Sequence, residues 1–83
     1  MSLRAVTTAV QAAGFGHATT DIDGGHLVRT TEGGLKISVI HGRLTAQDQQ
    51  GNAHPITFDD LIRILARLRV LVDRTDRVLE EPW

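Results

Sequence analysis

Cysteine is absent from the 83-residue chain, and so is tyrosine. Without thiols there can be no disulfide staple, no thiolate zinc site and no cysteine nucleophile. Phe, Tyr and Trp together make up 4% of the residues, too few to build a stacking platform for unpaired bases. An excess of either charge is missing too: nine Lys plus Arg stand against ten Asp plus Glu, a formal net of -1. A dedicated nucleic-acid binder ordinarily carries a basic surplus. No segment approaches the ~20 consecutive apolar residues of a membrane span. The opening stretch MSLRAVTTAVQAAG has a single Arg and no long apolar run, unlike a signal peptide. A cytoplasmic protein is expected, folded as one small domain over residues 1–83. Eight Arg against one Lys points to a GC-rich bacterial or phage gene.

Hydrophobic residues at 41% and charged residues at 23% have the balance of a globular chain and not of a disordered one. Ser2 can cap a helix whose apolar positions Leu3, Val6, Val10 and Ala13 follow helical spacing. Gly14 then stands where a left-handed C′ residue belongs, with Phe15 placed for the apolar contact that accompanies such ends. From Ala18 to Ile56 the pattern changes to short alternating segments, ATTDID, HLVRTTE, LKISVI and RLTAQD, separated by Gly24-Gly25, Gly33-Gly34 and His41-Gly42. DQQGN reads as a longer hairpin loop. The expected fold class is α+β: a short N-terminal helix, a four- or five-stranded antiparallel meander and a long C-terminal helix, in two layers.

Register can be derived from these turns. A two-residue turn at Gly33-Gly34 sets Thr30 against Ile37 and Val28 against Val39. A turn at His41-Gly42 sets Val39 against Leu44 and Ile37 against Ala46, and a loop centred on Gln50 sets Leu44 against Ile56. One face then collects Val28, Leu35, Ile37, Val39, Leu44, Ala46 and Ile56. The other collects Arg29, Thr31, Lys36, Ser38, Arg43, Thr45 and Gln47, as a sheet with one wet face requires. A turn at Gly24-Gly25 fits less well. It places Ile22 and Leu27 beside Ile40 on the polar face, which implies a bulge or a small apolar patch.

The last helix opens on Thr57 and Asp60 at capping-box spacing, with Ile56 and Leu61 as the flanking staple. Phe58, Leu61, Leu65, Leu68, Val72 and Leu79 continue it in alternating three- and four-residue steps, with Thr75 the only gap, to about Glu81, and the polar run around Thr75 is the weakest point. Twenty-four helical residues measure about 36 Å, whereas the meander is only about 20–25 Å wide. The expectation is that Leu71, Val72, Val78, Leu79 and Trp83 pass the end of the sheet. A small domain without staples gains stability by association. The expected function is therefore a non-catalytic interaction module, homodimeric or bound to another protein through Leu68, Leu71, Val72, Val78 and Leu79, with Leu61 and Leu65 in its own core.

The alternative is weakly sequence-specific nucleic-acid binding. Arg63, Arg67, Arg74 and Arg77 share one side of the last helix, and Arg29, Lys36 and Arg43 share the polar sheet face. In topology alone, helix–meander–helix resembles double-stranded-RNA-binding domains, but those carry a basic cluster where this helix begins TFDDL. Acidic partners four residues away, Asp59 for Arg63 and Asp73 for Arg69 and Arg77, are also the ordinary pairs of a solvated helix. His26 and His41 would face each other in the two-residue registers, near Asp21 and Asp23, yet two imidazoles do not make a stable zinc site. No Ser or Thr sits in a nucleophile context, and no glycine-rich loop leads from a strand into a helix. No metal, cofactor or enzymatic activity is expected.

Overall fold

The structure, a computed structural model, describes residues 2–47 and 50–80, with the side chains of the last helix as far as Arg74. Helix α1 (Leu3–Ala12) is followed by strands β1 (His17–Ile22), β2 (Gly25–Thr30), β3 (Lys36–Ile40), β4 (Arg43–Gln47) and β5 (Ala53–Ile56), then by helix α2 (Phe58–Glu80). The strands form one antiparallel sheet in the order β1-β2-β3-β4-β5. The class is α+β, as the turn spacing implied.

The helix ends follow from their sequences. The Ser2 hydroxyl accepts from the Ala5 N–H at 3.2 Å. At the other end the Phe15 N–H reaches the Val10 carbonyl and the Gly14 N–H the Gln11 carbonyl, at 3.1 and 2.9 Å. This double closure requires the left-handed φ of 89° at Gly14. It also drives Phe15 into the core beside Val10. α2 starts on the expected box: the Thr57 N–H donates to Asp60 Oδ2 at 3.0 Å, and the Asp60 N–H to Thr57 Oγ1 at 3.1 Å. It then runs without a break through Thr75 to Glu80.

Two registers are as derived: Ile37 pairs with Ala46, Val39 with Leu44, and Leu44 with Ile56. The turn between β3 and β4 is His41-Gly42, with φ of 50° and 75°, the left-handed pair that suits the twist of a hairpin. The other two registers are each displaced by two residues. Thr30 pairs through its N–H with the Leu35 carbonyl at 2.9 Å, so residues 31–34 form the loop and Val28 faces Ile37. The cause is the Thr30 side chain, which is buried. Its hydroxyl donates to the Glu32 carbonyl at 2.7 Å and accepts from the Leu35 N–H at 3.0 Å, and so needs the longer loop. In the first hairpin the turn is Asp23-Gly24, because Gly25 belongs to β2 opposite Ile40 and Ile22. A Cβ on Gly25 would fall on the Val39 carbonyl oxygen, so this glycine serves close strand approach instead of turning.

A shift of two preserves which side chains share a face, since strand faces alternate with period two. The core accordingly contains the expected Val28, Ile37, Val39, Leu44 and Ala46, joined by Val6, Ala9, Val10 and Phe15 from the α1 region and by Leu61 and Leu65 from α2. Leu35, Ile56, Phe58, Leu68 and Val72 pack against it. On the opposite face Ile22 and Ile40 flank the bare Gly25, with Leu27 one row away, all three half-buried. That is the apolar patch, and no bulge interrupts the ladder there.

Candidate interaction surface

α2 positions the candidate surface, and its burial divides the nominated residues. Leu61, Leu65, Leu68 and Val72 recur at steps of four, three and four, one stripe turned to the sheet. Leu68 lies on the loop between β2 and β3, where a Cβ on Gly33 would sit 2.7 Å from its Cδ1. Val72, one turn further, still packs on the core. That corrects the expectation that Val72 passes beyond the sheet: the 31–34 loop lengthens the layer beneath the helix. Leu71 is 50% exposed. The side chains of Val78, Leu79 and Arg77, and Trp83 altogether, lie outside the described residues.

Among the described residues, the large hydrophobics that stand exposed are Ile62 at 44%, Val70 at 50% and Leu71 at 50%. All three are on α2, and composition had not distinguished Ile62 from its neighbours. Ile62 borders a shallow cleft of about 450 Å3 between the helices, with Ala5, Ala9 and Ala12 on the α1 side and Phe58 on the α2 side. The cleft continues past Ala66 to Arg69. Alanines keep the wall of α1 low, so the outer face of α2 merges with this cleft.

Arg69 has a different task from the other arginines. Its guanidinium donates to the Gly14 carbonyl at 3.1 Å, to Asp73 Oδ1 at 2.7 Å from one nitrogen and 3.1 Å from another, and to Glu32 at 3.4 Å. It also covers the Phe15 ring, 4.9 Å from the centroid. α1, the 31–34 loop and α2 are thereby joined at one point. The bond that Arg69 donates to Asp73 and, less strongly, the charges of Asp73 and Glu32 raise the Arg69 pKa further, so the group stays charged. Sequence spacing suggested only the Asp73 half of this arrangement.

The cationic candidates form two separate groups. Arg63, Arg67 and Arg74 are exposed on the side of α2 away from the sheet. Arg29 and Lys36 face each other directly across β2 and β3, on the sheet surface opposite the helices. Arg43 shares that surface but stands at its other end, opposite Ile40, whereas Lys36 pairs with Gln47. The sheet's cations are thus not one cluster. No ligand surface can engage both groups at once, because two layers lie between them.

His26 does not face His41: it pairs with Val39, and its Nδ1 lies 2.9 Å from Asp21 Oδ1. Among the described residues no group of three or more His, Cys, Asp or Glu could hold a metal ion. No helix among them is long and apolar enough to cross a membrane.

No family model, curated protein or solved structure matches the chain. The functional reading therefore rests on the surface of α2 alone.

Proposed function

We propose that the protein is a non-catalytic interaction module that forms a homodimer through α2. The observation that carries this reading is the confinement, among the described residues, of exposed large hydrophobics to one helix: Ile62, Val70 and Leu71. Each is already about half-covered, so burying the remainder of one is worth about 1 kcal/mol, and an apolar surface concentrated on one element favours association. The rest of the described helix buries its apolar stripe in its own fold, as Leu61 and Leu65 do.

Light scattering on the purified chain over a range of concentrations tests it. A dimer is expected, and replacing Ile62, Val70 and Leu71 together by Ser should give a folded monomer. A wild-type chain that stays monomeric at every concentration overturns the reading. The exposed Arg63, Arg67 and Arg74 favour a second reading, nucleic-acid binding through phosphates. It predicts gel shifts that fade as salt rises and vanish when these arginines become Gln. Binding that survives both would contradict this mechanism.

A further inference from the structure

The outer face of α2 contains a second seam, distinct from the stripe that packs on the sheet. Asp59, Arg63, Ala66, Val70 and Asp73 recur at steps of four, three, four and three, and each is exposed. Such a spacing keeps one face of a helix aligned with a partner helix over several turns. In two helices paired parallel and in register, each seam residue meets its own copy. Asp59 would meet Asp59, Arg63 Arg63, and Asp73 Asp73. Every charged layer would repel.

Antiparallel pairing about an axis between positions 66 and 70 reverses this. Arg63 then faces the second copy's Asp73, and Ala66 faces its Val70. By sequence spacing the same register sets position 77, an Arg, against Asp59. Every charged layer is now an opposite pair, and the central layers match a small residue with a branched one. Resting on the dimer reading above, we propose that two copies of this chain pair antiparallel through the Asp59–Asp73 face of α2, with Ala66 and Val70 at the two-fold axis. Antiparallel helix dipoles favour the same arrangement, since the positive N-terminal end of each helix then lies beside the negative C-terminal end of the other.

Neighbouring side chains fit this register. Asp73 keeps Arg69 at 2.7 Å and also receives the second copy's Arg63, so the charge network that fixes the fold extends across the pair. Leu71 is turned about 100° from Val70 around the helix and stays outside the seam. The central apolar layers are few, so the dimer is weak and its population rises with concentration.

The absence of native cysteine allows a direct test of register by oxidative cross-linking. Ala66→Cys and Val70→Cys chains are made separately and oxidised alone and as an equal mixture. In the antiparallel register residue 66 is offset from its own copy by about 6 Å along the axis. With helices about 8–10 Å apart, that exceeds disulfide reach, whereas 66 and 70 of opposite chains adjoin. The expected result is a cross-linked fraction several-fold higher in the mixture than in either chain alone. Val70→Asp should abolish the dimer, while Leu71→Asp should leave it. A wild-type dimer whose single-cysteine chains cross-link to themselves no less than in the mixture overturns the antiparallel register and leaves the dimer reading standing. A chain that is monomeric throughout overturns both.

Discussion

Arg69 touches the carbonyl of Gly14, the carboxylates of Glu32 and Asp73, and the ring of Phe15. Arg67, two positions earlier, is exposed on the solvent side. Arg69→Met should therefore lower the unfolding temperature clearly, while Arg67→Met should leave it within error, as thermal melts followed by circular dichroism would show. The paired glycines of the 31–34 loop give a second contrast. Gly33 and Gly34 both adopt left-handed φ, 75° and 66°. An alanine in that region costs about 1–2 kcal/mol. At Gly34 nothing lies within 4 Å of the added Cβ, so Gly34→Ala should cost no more than the backbone term. At Gly33 the methyl would meet Leu68 at 2.7 Å, so Gly33→Ala should cost more than that, and urea unfolding of the two variants separates them.

For the elements, the start of α2 is the most exposed to measurement. Thr57 and Asp60 satisfy each other's backbone N–H, and Thr57→Ala should cost about 1 kcal/mol, read from the urea midpoint. The hydrogen bonds from Thr57, backbone first and side chain second, lower the Asp60 pKa below its ordinary 3.8, helped by the Arg63 charge and opposed by slight burial. A carboxyl whose pKa falls on folding stabilises the fold in its ionised form. Its contribution is in place above 3.8 and disappears as pH drops through the lowered folded value. Asp60→Asn should accordingly lower the melting temperature at neutral pH and leave the acid value nearly unchanged, which flattens the acid limb of the profile.

At the scale of the whole molecule, two helices cover one sheet face and leave the other to water, so cations on the two outer surfaces act separately. A duplex lying on Arg63, Arg67 and Arg74 would also meet Asp59 and Asp73 on the same exposed side of α2. Those acidic residues instead suit a copy of the chain that presents arginine. Salt should thus weaken the proposed dimer without abolishing it, because exposed charge pairs are screened while an apolar contact of Ala66 with Val70 would not be. Sedimentation at low and high ionic strength checks this; a dimer indifferent to salt would locate the contact away from the charged layers.

Local rules by themselves determined the elements, the N-terminal caps of both helices, the glycine end of α1, the turn at His41-Gly42 and the sorting of strand residues into two faces. Each depends on neighbours within a few positions or on a period of two that survives a two-residue slip. Two registers were decided only by tertiary structure. Thr30 required its hydroxyl to be bonded once buried, and Gly25 was needed where β2 closes on Val39, neither of which a glycine pair reveals. The extent of the core along α2 was likewise decided in three dimensions, when the 31–34 loop rose beneath Leu68. So was the role of Arg69, whose partners at Gly14 and Glu32 are far away in sequence. The sequence marked α2 as the helix with more apolar surface than its own fold needs; folding chose which of its faces remained in water, because the stripe containing Leu61 and Leu65 was the one that met the sheet.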